Sequence, residues 1–218
     1  MMTKKLTRNI LVWSFICILL ICISNSYAAE TKNIKWSNNL LLNSSFEDGL
    51  KNWQVPSWLR NYLVLPKIDK AIIHGGGMAS LKFEGEAGKY FRVYQKITAP
   101  SNAKKYKFDC WIKMEDFENS WVVLLTIKCF YKEKADKKFK TKNITAGITH
   151  WSKTSLPWTL KSKEFTVPPN TKYISVYLIA CSHKCNGSPK CLGRAWFDNV
   201  SLRYKQPITS VDNKKDGV

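Results

Sequence analysis

Apolar positions recur at every second residue through most of this chain, the spacing of strands with one buried face. The period marks candidate strands at 39–42, 62–65, 70–74, 79–83, 89–97, 105–114, 121–131, 161–167, 172–181 and 194–204. Turn chemistry separates them: Glu47-Asp48-Gly49, Gly75-Gly76-Gly77, Gly85-Glu86-Ala87-Gly88, Pro100-Ser101-Asn102 and Pro168-Pro169-Asn170. No segment after residue 28 carries a sustained 3.6-residue stripe with caps. Many short strands at this spacing predict an all-β sandwich or barrel rather than a βαβ sheet.

The alternation also assigns faces. Phe108, Cys110 and Ile112 share one face of their strand, and Lys107, Asp109, Trp111 and Lys113 the other. Ile174, Val176, Leu178 and Ala180 form an unbroken apolar face, with Ser175 and Tyr177 pointing away. Phe91, Val93 and Ile97 oppose Tyr90, Arg92, Tyr94 and Lys96. A slip of one residue would exchange these sets, so the register is strongly specified. Residues 132–159 lack a clean period and read as a long excursion with one short strand near 143–148. The tail, 205–218, is polar and expected to be unstructured.

The first residues change the picture of where the chain folds. Lys4, Lys5 and Arg8 precede an apolar run of 14 residues, 10–23, with Ser26 and Ala28 at the positions a signal peptidase reads. The run is short for a spanning helix, which needs roughly 20 residues. Residues 1–28 are therefore expected to be a cleaved signal peptide, giving a secreted or periplasmic protein with no membrane span after cleavage. Cys17 and Cys22 each follow an isoleucine, where a lipidation site wants a small residue.

Three of the 35 Lys and Arg lie in that segment, so the remaining 190 residues carry 32 against 16 acids, a net charge of +16. Outside the cytosol the matching polyanions are acidic or sulfated polysaccharides, cell-wall polymers and lipid head groups rather than nucleic acid. Five cysteines remain, Cys110, Cys129, Cys181, Cys185 and Cys191, an odd number in an oxidising compartment. Cys181, Cys185 and Cys191 bracket a loop rich in Ser, Asn, Gly, Pro and Lys, where a stapling disulfide is expected ahead of a metal. Which two of the three pair stays open.

Four segments resemble the carbohydrate-binding modules of families 4, 9 and 22. The run Asn39-Leu40-Leu41-Leu42-Asn43-Ser44-Ser45-Phe46-Glu47-Asp48-Gly49-Leu50-Lys51-Asn52-Trp53 looks like their opening. Ala195-Trp196-Phe197-Asp198-Asn199-Val200-Ser201-Leu202 is similar to their closing strand. Between them, Val93-Tyr94-Gln95-Lys96-Ile97 and Tyr106-Lys107-Phe108-Asp109-Cys110-Trp111-Ile112-Lys113 match two inner strands. The resemblance spans about residues 39–204, within a domain set at 29–204. It implies a galactose-binding-like jelly roll, a two-sheet antiparallel β-sandwich. It also implies a structural Ca2+ whose side-chain ligands would be Glu47 and Asp198, carbonyl oxygens completing the sphere. Trp53 and Trp196 lie in the motifs and are expected in the core.

Glycan recognition needs aromatic plates for sugar C–H faces and polar or cationic groups for hydroxyls and carboxylates. The outward residues Arg92, Tyr94, Asp109, Trp111 and Tyr177 offer both, with Trp58 and Lys128 as additions. The expectation is a non-catalytic module that binds an extracellular, anionic polysaccharide by stacking and basic side chains. Two alternatives stay open: a structural or adhesion module with a protein or cell-surface partner, and a polysaccharide lyase or hydrolase on the same scaffold. The three histidines, His74, His150 and His183, show no metal-ligand spacing, and no nucleophile elbow, P-loop or dinucleotide fingerprint occurs.

Overall fold

The computed structural model describes residues 35–57, 65–85, 90–115, 121–133, 138–149, 155–182 and 193–206. The chain divides into two units, Met1–Lys35 and Trp36–Val218. The first, with the expected signal peptide, lies outside the described residues except for Lys35. Among the described residues no helix is long and apolar enough to cross a membrane.

The described residues of the second unit form a sandwich of nine strands: β1 (Lys67–Asp69), β2 (Ser80–Gly85), β3 (Tyr90–Thr98), β4 (Lys105–Glu115), β5 (Trp121–Tyr131), β6 (Lys140–Thr149), β7 (Leu156–Thr166), β8 (Thr171–Ser182) and β9 (Gly193–Tyr204). Five form one sheet in the order β1-β2-β9-β4-β7, and four the other in the order β3-β8-β5-β6. Every described pairing is antiparallel. The inward sets expected from the alternation meet between the sheets: Phe108, Cys110 and Ile112 from β4, Phe91 and Val93 from β3, and Ile174, Val176, Leu178 and Ala180 from β8. Trp53 joins this core.

Several elements depart from the sequence pattern for identifiable reasons. The expected strand at 39–42 is pinned along β9 without a ladder, because Asn39 acts as a surrogate backbone. Its Nδ2 donates to Val200 O at 2.9 Å, and its Oδ1 accepts from Leu202 N at 2.9 Å and Leu41 N at 3.1 Å. The Gln95 side chain holds the same segment, donating to Leu42 O at 2.9 Å and accepting from Leu42 N at 2.8 Å. The strand expected at 70–74 is displaced to Lys67–Asp69. Asp69 Oδ1 accepts from Ala71 N and Ile72 N, an Asx turn that ends the strand.

The described residues of the excursion expected at 132–159 are mostly strand. They supply β6 and the first residues of β7, which are edge strands of different sheets. An edge strand need not alternate, and lysines such as Lys140, Lys142, Lys161 and Lys163 protect it from further pairing. The two edges meet at Gly147, where an added Cβ would come within 3.3 Å of Leu125 Cδ1 and 3.4 Å of Lys161 Cβ.

In β9 the inward residues change parity, from Ala195 and Phe197 to Val200 and Leu202. A bulge against β4 falls between them, with Asn199 at φ 49°. Trp196 is 1% exposed, yet it lies on the outer side, roofed by Lys82, Lys113 and Arg194 at 5.4–5.9 Å from its ring. Its burial under basic side chains, rather than in the inter-sheet core, corrects the expectation for this residue.

Candidate glycan-binding face

On the outer face of the four-stranded sheet, registered residues form cross-strand rows. Arg92 lies opposite Ile179, and Ile179 opposite Leu124. Tyr94, Tyr177 and Thr126 make the next row, then Lys96, Ser175 and Lys128, then Thr98, Tyr173 and Phe130. The Tyr94 and Tyr177 rings stack at 5.3 Å with 29° between their planes. The Arg92 guanidinium lies 4.6 Å from the centre of the Tyr177 ring. These side chains are half-buried, enough to be held and open enough to touch a ligand. At the edge of the sheet, Gln54 covers β3 by exchanging two backbone hydrogen bonds with Tyr94, of 2.8 and 2.9 Å. Beside it is a cavity of about 590 Å³ lined by Trp53, Gln54, Val55 and Leu65.

Both sheets carry Lys and Arg, but the acidic residues of the strands all lie in one. The strands β3, β5, β6 and β8 contain six Lys and Arg and no Asp or Glu. The other sheet carries Asp69, Glu84, Asp109, Glu115, Glu164 and Asp198. A ligand crossing the four-stranded sheet therefore meets cations and rings on every strand it spans, apart from β6, which contributes lysines without rings.

The structure brings Arg92, Tyr94, Lys128 and Tyr177 together and places Asp109 and Trp111 on the opposite sheet. The single outward set expected from the sequence is thus two sets on opposite sides of the sandwich. Asp109 ties three strands: Ser162 Oγ donates to it at 2.6 Å, Ser201 Oγ at 3.4 Å, and Lys107 Nζ lies 3.6 Å away. One face of Trp111 is covered by His74, stacked at 3.8 Å, and Trp158 meets His74 edge-on at 5.4 Å. Trp58 lies outside the described residues. Lys96, Ser175, Tyr173 and Phe130 complete the face without having been singled out. The alternation could have found them once β3, β5 and β8 were known to be neighbours.

Glu47 and Asp198 converge on the segment 74–78. Asp198 is 0% exposed although it lies on the outer side of its sheet. Its Oδ2 accepts from His74 N at 2.9 Å and its Oδ1 from Asn199 N at 2.6 Å. Glu47 Oε1 accepts from Met78 N at 2.7 Å, and an added Cβ on Gly77 would meet that oxygen at 3.0 Å. Burial holds the Asp198 carboxyl above its ordinary range; the Glu47 charge adds to this, and the His74 and Asn199 N–H groups oppose it. The preceding loop is strained, with Phe46 at φ 60° and no exposed surface. Among the described residues, no three or more His, Cys, Asp or Glu side chains cluster in a way that could hold a metal.

Cys110 and Cys129 are buried free thiols on β4 and β5, which removes both from the disulfide candidates. They are core-filling side chains in different sheets. Burial, then the Asp198 charge, pushes the Cys110 thiol well up; burial takes Cys129 up to about 11. Cys181 lies in β8, paired with Tyr90 and Val122. Its side chain, and Cys185 and Cys191 entirely, lie outside what the structure describes.

No protein-family model and no curated protein matches the sequence. Solved structures do match. The second family 22 xylan-binding module of Xyn10C from Paenibacillus barcinonensis is 14% identical; the match covers 74% of this chain and 98% of that module, with a TM-score of 0.50. The family 22 and glycoside hydrolase modules of xylanase 10B from Clostridium thermocellum, complexed with xylohexaose, match at 12% identity, 77% and 29% coverage and a TM-score of 0.50. The enzymatically active domain of tailspike protein 4 from bacteriophage CBA120 matches at 10% identity, 76% and 21% coverage and a TM-score of 0.51. The fold is therefore the jelly-roll sandwich of family 22 carbohydrate-binding modules, as the sequence resemblance implies.

Proposed function

We propose that this chain is an exported, non-catalytic module that binds an anionic extracellular polysaccharide across the outer face of its four-stranded sheet. The observation that carries the reading is the stacked Tyr94–Tyr177 pair with the Arg92 guanidinium over Tyr177. Two rings present a plate for sugar C–H surface, and a guanidinium beside them can grip a carboxylate through two parallel hydrogen bonds. The absence of acidic residues from the four strands favours an anionic ligand. The xylan-binding module that shares the fold supports a glycan as the ligand. Export rests on the charged, apolar and small-residue sequence of residues 1–28.

A structural Ca2+ between Glu47 and Asp198 belongs to the same proposal. The donor set fits a hard cation: two carboxylates near enough for the charge of one to act on the other, one of them fully buried. The ion would supply positive charge and fasten the 42–52 loop to β9. The cysteine-rich loop is proposed to hold one disulfide among Cys181, Cys185 and Cys191.

The test is a glycan-array screen at low and physiological salt with Tyr177→Ala and Trp111→Ala variants. Loss of one stacking contact, about 0.5–1.5 kcal/mol, should weaken binding roughly 2- to 10-fold in Tyr177→Ala. Trp111→Ala should bind like the parent. The reverse order would transfer the site to the other sheet. Absence of glycan binding in the parent would turn the reading to a protein partner.

A further inference from the structure

We infer that the row Lys96–Ser175–Lys128 is a subsite for a tetrahedral oxyanion, a sulfate or phosphate ester carried by the glycan. The inference rests on the glycan-binding reading above and adds the chemistry of the substituent. Ser175 on β8 lies between Lys96 on β3 and Lys128 on β5. Neighbouring strands are about 4.8 Å apart, so both lysine stems can reach over the serine. Along β8 the outward residues are Tyr173, Ser175, Tyr177 and Ile179, so the smallest side chain sits between two rings. Ser175 is 1% exposed and has a lysine opposite it on either neighbouring strand.

The ammonium groups are positioned without being neutralised. Lys96 Nζ lies 4.3 Å from the Tyr173 ring centre and 5.3 Å from that of Phe130; Lys128 Nζ lies 5.5 Å from the same Phe130 ring. Aromatic faces orient a cation while leaving its N–H donors available. None of the ion pairs among the described residues uses Lys96 or Lys128, and Glu133, just beyond β5, is paired with Lys140 at 2.6 Å. Two compact charges with three rotatable donors each suit an oxyanion whose charge is spread over several oxygens in three dimensions. A planar carboxylate is better matched by the flat fork of Arg92, two rows away.

The test is calorimetric titration of the purified protein with dextran sulfate, phosphorylated dextran, underivatised dextran and polygalacturonate, at two salt concentrations. Variants are Lys96→Gln, Lys128→Gln, Ser175→Val and Tyr177→Ala, each checked for an unchanged melting transition. At physiological salt at least one ester polymer should bind about tenfold tighter than polygalacturonate, and the two ester arms identify the oxyanion. Each lysine variant should lose about tenfold, the loss of one charge-assisted contact, and about one unit of salt slope. Ser175→Val removes no charge but places methyl groups between the two lysines; it should abolish the ester preference by weakening ester binding far more than polygalacturonate binding. An ester preference that survives Ser175→Val overturns the subsite. Polygalacturonate binding that needs Tyr177 but shows no ester preference also overturns it, and leaves the glycan-binding reading standing. Binding to none of the polymers overturns both.

Discussion

Asp69 offers a sharp test of how the five-stranded sheet is closed. The residue ends the short edge strand β1, and its carboxylate serves two elements. Oδ2 accepts the indole N–H of Trp196 at 2.8 Å, and Oδ1 accepts Ala71 N at 2.8 Å and Ile72 N at 3.2 Å. The backbone N–H groups of the turn can turn to water when the carboxylate is lost. The Trp196 N–H cannot, since the ring is buried beneath Lys82, Lys113 and Arg194. Leaving that donor unsatisfied, together with the weakened turn, should make Asp69→Ala cost about 2–3 kcal/mol. For a domain of this size that lowers the melting temperature by roughly 4–12 °C. Asp69→Asn keeps the Asx turn but presents an amide N–H to the indole donor or gives up the turn, so it should fall between parent and Ala. The pH dependence follows from the carboxyl's lowered affinity for protons. Burial alone would raise it, but the Trp196, Ala71 and Ile72 hydrogen bonds and the Lys82 charge together outweigh burial. A lowered folded-state value means the stabilisation is complete above the ordinary carboxylate range, about pH 4, and is lost as pH falls through the lower folded value. Thermal melts of the three proteins from neutral to acidic pH should therefore show a constant gap that closes only in acid. Equal melting temperatures for parent and Asp69→Ala would refute the claim that this carboxylate latches β1 to β9.

The proposed Ca2+ predicts that EDTA lowers the melting temperature at neutral pH and that added Ca2+ restores it. Glu47→Gln should show a smaller response, and an EDTA effect of zero would count against the site. In the chelated protein, ionised Asp198 is a cost because its folded value is raised. That contribution is favourable below the unfolded value and is lost as pH rises through the folded one, so mild acidification should relieve the chelated protein. Thiol titration of the native, unreduced protein at pH 8 should leave Cys110 and Cys129 unreactive, since burial keeps both protonated. After denaturation, with residues 1–28 removed, three thiols should react: these two and one of the loop cysteines. Five would remove the disulfide proposal.

Much of the structure was legible in the chain itself. Period-two patterning identified the inward sets of β3, β4 and β8, because a residue facing the core must be apolar wherever its strand sits. The motif residues Asn39, Gln95 and Trp53 were legible as a pattern, and their work is local: side-chain amides replace ladder bonds, and the Trp53 indole donates to Asn43 O at 3.0 Å. What the period could not report was which outer face each strand presents. Tyr94 and Trp111 alternate in the same way, yet one belongs to a sheet whose strands hold no acid and the other to the sheet that holds Asp69, Glu84, Asp109, Glu115, Glu164 and Asp198. The edge strands β6 and β7 and the parity change at Asn199 were hidden for a related reason. Their side-chain pattern is set by the neighbours they have or lack. Alternation is a property of one strand and the core, so sequence determines in and out. Adjacency is a property of pairs of strands distant along the chain, so only the tertiary structure decided that Arg92, Tyr94, Lys96, Lys128, Ser175 and Tyr177 share one surface.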